Sequence, residues 1–320
     1  MAQAATEKQW ESLRAREAAL LAEVGIPITT NDITVHGQSM HYLEAGNPKL
    51  PTLIMLHGRG SAAALWYSIM PQLARHRHLI AIDMPGWGLS SRAPFAGTTP
   101  QSALDWWRDG VLGAIDALGV QRFDLIGHSL GGMVSLAVAL QRQTQLDHLL
   151  LEDAAGFTTH YAAFYRLYFR AGPERLAKIA PRSLFDRASA GSAPAPTDAS
   201  PALRAALSDF VYTLTTFPGT QESAVRAFDT IFDLNGVHLT LRDRVPTIMT
   251  PTRAIWGAND PLIPLRYCQA AIATMPHSEV VIIPKVGHSP HMESPVLFAE
   301  HALEFLARGV EAPVTVRDAN

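Results

Sequence analysis

The stretch Gly127-His128-Ser129-Leu130-Gly131-Gly132 constrains this chain more than any other. It follows the apolar run Phe123-Asp124-Leu125-Ile126 and precedes Met133-Val134-Ser135-Leu136-Ala137-Val138. The segment therefore reads as a strand, a sharp turn and a helix, with a serine at the apex. Small residues two positions to either side of the serine suit a turn that strains its backbone, because a Cβ there would collide with the neighbouring strand or helix. The strain lifts the Ser129 hydroxyl clear of the sheet and aims a helix N-terminus at whatever binds there. A bare glycine-x-serine-x-glycine arises often by chance, so its weight comes from its surroundings.

Those surroundings are ordered. Thr52-Leu53-Ile54-Met55-Leu56 is a buried-strand run ending in His57-Gly58-Arg59-Gly60-Ser61, and Leu79-Ile80-Ala81-Ile82-Asp83 is another, ending in Met84-Pro85-Gly86-Trp87-Gly88. After the serine come Leu149-Leu150-Leu151-Glu152-Asp153, Arg253-Ala254-Ile255-Trp256-Gly257-Ala258-Asn259-Asp260, and Val280-Val281-Ile282-Ile283 followed by Gly287-His288. Continuous apolar strands alternating with helical segments predict a parallel sheet covered on both faces. Ile33-Thr34-Val35 and Met40-His41-Tyr42-Leu43-Glu44, separated by His36-Gly37-Gln38, predict an opening antiparallel hairpin.

From about Thr34 to Arg308 the motifs and their order, serine then acid then histidine, resemble the α/β-hydrolase superfamily. The resemblance implies an α/β fold with a mostly parallel eight-stranded sheet flanked by helices and a helical cap inserted after the sixth strand. The expected organisation is an N-terminal helix over 1–25, a core over 26–154 and 251–309, a cap over 155–250 and a tail over 310–320. The cap opens with Phe157, Tyr161, Phe164, Tyr165, Tyr168 and Phe169, and Ala188 to Pro201 is an Ala/Ser/Pro-rich loop. The N-terminal segment reads as an amphipathic helix packed on the core, with Trp10, Leu13, Ala18, Leu20 and Leu21 as apolar contacts.

Composition narrows the partners. A chain of 320 residues with net charge −3 and no basic block is not built for nucleic acid. One cysteine, Cys268, allows no internal disulfide and suits a reducing compartment; with no signal-peptide pattern, the expectation is cytoplasmic. No window approaches a membrane span, and membrane contact is allowed by the first helix but not indicated. The thirteen histidines show no metal-ligand spacing, so no metal site and no cofactor are expected. Oligomeric state is left open.

The chemistry is that of an activated serine. A hydroxyl is a poor nucleophile and needs an adjacent base, for which His288, after the last strand, is the candidate, with His291 as competitor. The base needs an acid. Asp260 follows the penultimate strand, and Glu152 and Asp153 stand one strand earlier as alternatives. The resemblance implies an oxyanion hole from the backbone N–H groups of Leu130 and Arg59. The Arg59 side chain is either an anion anchor or an ordinary arginine, solvated or held in a local salt bridge. The expected pocket residues are Trp66, His128, Phe157, Tyr161 and Tyr165.

These residues predict hydrolysis of a small-molecule carboxylic ester, acyl or aromatic, through an acyl-enzyme. The chain also resembles carboxylesterases, including the methyl esterase of biotin synthesis, and the intracellular lipase and lysophospholipid acyltransferase-like branch. The latter resemblance rests on Leu13-Arg14-Ala15-Arg16-Glu17, Leu53 to Gly60 and Trp106-Trp107-Arg108. Members proposed as acyltransferases carry H-x-x-x-x-D after the last strand, where this chain has His288 and Glu293. Carbon–carbon hydrolases of ring-cleavage products commonly place an aromatic residue after the histidine, where Ser289 stands here. A cofactor-free perhydrolase and a triad-containing ligand receptor are the remaining alternatives.

Overall fold

In the computed structural model, residues 4–161, 172–189, 195–196 and 199–309 are described. Eight strands form one sheet: β1 (Ile28–Val35), β2 (Gln38–Ala45), β3 (Thr52–Leu56), β4 (His78–Ile82), β5 (Phe123–His128), β6 (Leu146–Glu152), β7 (Thr252–Gly257) and β8 (Ser278–Ile283). Their order across the sheet is β1-β2-β4-β3-β5-β6-β7-β8. β1 with β2 and β2 with β4 are antiparallel, and every other pair is parallel. β5, whose end carries the serine, lies between β3 and β6, and all its residues are buried.

Alternation along the central strands divides the core between the two faces of the sheet. Leu56, Leu125, Leu151 and Trp256 point to the face covered by helices Pro100–Ala117 and Leu130–Arg142. Leu53, Met55, Ile126 and Ile255 point to the face covered by helix Pro295–Leu306 and the N-terminal helix Glu7–Ala22. The chain leaves the sheet after β6 and re-enters it at β7. Between them lie helices Pro173–Ile179, Arg182–Ser189, Pro201–Thr216 and Arg226–Ile231. Half of the Ala188 to Pro201 loop, Tyr165 and the 310–320 tail lie outside the described residues.

The N-terminal helix differs from the sequence reading in one respect. It buries Leu13, Glu17, Leu20 and Leu21, the i, i+4, i+7, i+8 stripe of one face, whereas Ala18 is exposed. A charged Glu17 fills a position that hydropathy assigns to an apolar residue, because it meets a partner inside: its Oε2 lies 3.0 Å from Nε2 of His41 on β2. The same helix packs against cap helix Pro201–Thr216, with Arg16 on Asp209 at 3.2 Å and the Trp10 and Phe217 rings 4.5 Å apart. It thereby ties cap to core. Among the described residues no helix is long and apolar enough to cross a membrane.

Candidate active site

Ser129 sits where β5 gives way to helix Leu130–Arg142, at φ 53° and ψ −114°, a left-handed-side backbone that costs a non-glycine residue energy. Neighbouring strands hold it there. The Ser129 N–H donates to the Glu152 carbonyl at 2.9 Å, and the Ala155 N–H donates to the Ser129 carbonyl at 2.9 Å. Gly131 lets the helix run against the end of β3, since a Cβ there would overlap the Leu56 and His57 carbonyl oxygens.

The structure brings Ser129, His288 and Asp260 into one hydrogen-bonded chain. Ser129 Oγ is 3.0 Å from Nε2 of His288, and Nδ1 of His288 is 2.9 Å from Oδ2 of Asp260. The other Asp260 oxygen, Oδ1, accepts the N–H groups of Leu262 at 2.8 Å and Ile263 at 3.0 Å. Burial works against charge on Asp260, but the adjacent His288 and the hydrogen bonds it accepts outweigh burial and hold the carboxyl below the usual carboxylate range. Asp153 does not reach His288 in this chain of bonds; its carboxylate accepts the Gly257 N–H at 3.1 Å, behind Asp260.

His291, the competitor, is engaged by Glu152 and not by the serine. Glu152 Oε1 accepts both the His291 N–H at 2.7 Å and a hydrogen bond from its Nδ1 at 2.8 Å. Burial raises the Glu152 carboxyl, yet His291 and His128 outweigh it and leave it below its ordinary value. The sequence offers Glu152 only as an alternative acid, and its pairing with His291 carries no local signal. His128 lies beside this pair. Burial pushes its imidazole down to about 3, so it is neutral at physiological pH, and its Nε2–H donates to the His288 carbonyl at 2.7 Å.

The loop after β3 is fixed by His57. Nδ1 of His57 donates to the Gly58 carbonyl at 2.7 Å and its Nε2 accepts the Met84 N–H at 3.0 Å. Burial holds this imidazole down to about 4, consistent with a neutral ring that both donates and accepts. A Cβ added to Gly58 would lie 3.3 Å from Ser129 Cβ, so the loop backbone runs directly against the serine. Arg59 and Leu130 both line the cavity in front of Ser129. The Arg59 guanidinium meets Glu174 of the cap at 2.8 Å and lies over the Phe228 ring at 4.9 Å. The salt bridge is the outcome of the two sequence readings, although its partner comes from the cap rather than from nearby chain. Asp83 is structural, its carboxylate accepting the N–H groups of Ala63 and Leu89, each at 2.6 Å.

The cavity has a volume of about 590 Å³ and reaches Ser129, His288, Arg59 and Leu130 at one end. Apolar residues dominate its walls, among them Leu65, Val211, Leu214, Phe228 and Phe232. Of the expected pocket residues, His128 and Tyr161 line it. Trp66 and Phe157 do not: both are 1% exposed, Trp66 packed with its ring 4.4 Å from His291 and Phe157 within the core beneath the cap. These aromatics are drawn into the core because burying them removes more apolar surface than lining a cavity would. Tyr165 lies outside the described residues.

Among the described residues, two sets of side chains could offer ligand atoms to a common metal, Glu17–His41–Asp83 and Asp153–Asp260–His288. In both, the imidazole nitrogens already hold partners: Glu17 and Asp32 on His41, Ser129 and Asp260 on His288. The first set joins residues far apart in sequence, which is why spacing did not disclose it.

The family model described as alpha/beta hydrolase fold matches residues 51–295. An uncharacterised protein of Mycobacterium tuberculosis is 29% identical over 285 residues, 88% of this chain and 82% of that protein. A 2-hydroxymuconate semialdehyde hydrolase of a Pseudomonas strain is 26% identical over 287 residues, 87% of this chain and 93% of its own. The crystal structure of carboxylesterase CesB from Bacillus subtilis superposes with a TM-score of 0.72 at 18% identity, covering 94% of this chain and 99% of the other. With its sheet order, its serine turn and a match over most of its length, the chain belongs to the α/β-hydrolase family of hydrolytic enzymes.

Proposed function

We propose that the protein cleaves carboxylic esters through an acyl-enzyme formed on Ser129. The observation that carries this reading is the bond chain from Ser129 through His288 to Asp260, opening on a largely apolar cavity. His288 takes the hydroxyl proton as Ser129 attacks the ester carbonyl, and Asp260 stabilises the imidazolium that forms. The Leu130 and Arg59 backbone N–H groups donate hydrogen bonds to the oxyanion. His288 then protonates the departing alcohol and activates the water that releases the acid. The apolar walls favour an acyl or aromatic group over a sugar or a peptide.

Steady-state hydrolysis of 4-nitrophenyl esters from acetate to dodecanoate tests this. The wild-type protein turns over repeatedly, and Ser129→Ala loses at least about a thousandfold in kcat. Equal turnover by Ser129→Ala sinks the reading, and a single stoichiometric burst points to a receptor instead. Release of free acid rather than transfer to added lysophospholipid or peroxide separates hydrolysis from acyl transfer and perhydrolysis. The likeness to the 2-hydroxymuconate semialdehyde hydrolase supports a second reading, in which the same serine acts on a substrate of that class. Loss of the chromophore of that compound, measured with the same two proteins, decides it.

A further inference from the structure

Asp153 is a buried carboxyl that the ester mechanism does not use. It directly follows β6, has no measurable exposure, and is held at φ 41°, a backbone region that disfavours a residue with a side chain. Two bonds keep it there: its N–H donates to the Ile255 carbonyl at 3.2 Å, and its carboxyl accepts the Gly257 N–H at 3.1 Å. These bonds span β6 and β7 and place its carboxyl within 4.8 Å of both the Asp260 carboxylate and the His288 ring. Two buried carboxyl groups thus stand side by side, each offering an oxygen within 4.8 Å of the other.

Two buried carboxyl groups this close favour holding one proton between them, because two carboxylates repel and offer only acceptors. The protein's donors decide which group carries it. Asp260 accepts from Leu262, Ile263 and His288, whereas Asp153 accepts from a single backbone amide. The remaining groups facing the pair are Glu152, the Cys268 thiol and the Tyr161 phenol. Glu152 adds negative charge, and burial keeps the thiol and phenol protonated, so none of them supplies the positive charge a second carboxylate would need. The proton therefore resides on Asp153.

We propose that Asp153 is a positioning residue, a neutral carboxylic acid whose O–H donates to the Asp260 carboxylate and fixes its orientation and basicity towards His288. Burial, followed by the charge of Asp260, raises the Asp153 carboxyl well above the usual carboxylate range, in agreement with the bond pattern. The donor draws electron density from Asp260 and so restrains its pull on the Nδ1 proton of His288. Removing it leaves Asp260 more basic towards the imidazolium and freer to rotate. This inference rests on the ester-hydrolase reading above.

Two variants and one spectroscopic measurement test it. Asp153→Asn keeps a side-chain N–H donor for Asp260 and an oxygen for Gly257, and it suits a positive φ. It should keep kcat within about threefold and leave the pH profile of kcat/KM in place. Asp153→Leu should lower kcat about tenfold with KM nearly unchanged and move the acidic limb of kcat/KM to higher pH. Infrared spectra of the wild-type protein at pH 7 should contain a C=O stretch of a buried protonated carboxylic acid that is missing in Asp153→Asn. This last readout needs no turnover, so it holds even if the substrate class is wrong or Asp153→Leu fails to fold. Absence of the band overturns the proposal, as does an Asp153→Asn protein as impaired as Asp153→Leu, which would mean that the ionised side chain is needed.

Discussion

The Glu17 carboxylate lies 3.0 Å from Nε2 of His41, with both side chains shielded from water, so a helix at the start of the chain is fastened to the sheet by a buried charge pair. Burial opposes the His41 imidazolium, but Glu17, Asp83 and Asp32 outweigh it and raise the ring to about 9. A histidine raised in the fold above its unfolded value of about 6.5 contributes stability that is complete below that pH and is lost as pH rises through about 9. Urea unfolding from pH 6 to 9.5 should show a loss on the order of 3 kcal/mol in the wild-type protein. The His41→Gln protein should be weaker at pH 6 and flatter across the range. A wild-type stability that does not fall over this window contradicts the assignment.

His128 acts on the site through the backbone of its neighbour. Its neutral ring donates to the His288 carbonyl at 2.7 Å. His128→Ala should lower kcat about tenfold while leaving KM within twofold, since it loosens the base without touching the cavity's far walls. His128→Gln, which retains an N–H donor, should recover part of the loss. An unchanged kcat in His128→Ala would show that the loop is held by other bonds.

Glu174 places a carboxylate at the cavity wall, 2.8 Å from the Arg59 guanidinium. Glu174→Gln removes the negative charge and leaves the guanidinium facing the cavity. Turnover of 4-nitrophenyl hydrogen glutarate relative to 4-nitrophenyl butyrate should rise about tenfold at low salt and fall back as salt is added. A constant ratio assigns the pair to clamping the cap alone.

Gly131 is a steric requirement of the serine turn. Gly131→Ala drives a methyl into the Leu56 and His57 carbonyls, so the helix must back away from β3. We expect a loss of about 3 kcal/mol by denaturant unfolding, with hydrolysis impaired even in the folded fraction. Wild-type stability in this variant would show that the helix shifts at little cost.

The chain's central strands and the three linked side chains were legible because each carries its signature locally. Ser129 sits at a strand end with Gly127 and Gly131 two positions to either side, Asp260 follows Trp256-Gly257, and His288 follows Gly287. The walls of the cavity were not. Val211, Leu214 and Phe228 are ordinary helix residues whose inward face is set by how the cap docks, which no short window encodes. Aromatic residues near the motifs misled for the opposite reason, since Trp66 and Phe157 serve the core. Charge misled as well: Glu17 reads as surface until His41, 24 positions on, is folded against it.

The bond between Arg16 and Asp209 joins residues 193 positions apart. During synthesis the first helix leaves the ribosome some 10–40 s before the cap segment that covers it, at roughly 5–20 residues per second. For that interval Trp10 lacks the Phe217 ring that packs on it, and so short a helix is marginal by itself in water. The cap is therefore seated late, on a support laid down at the outset, and a nascent chain stalled before position 209 would present an unroofed, sticky sheet to the chaperones around it.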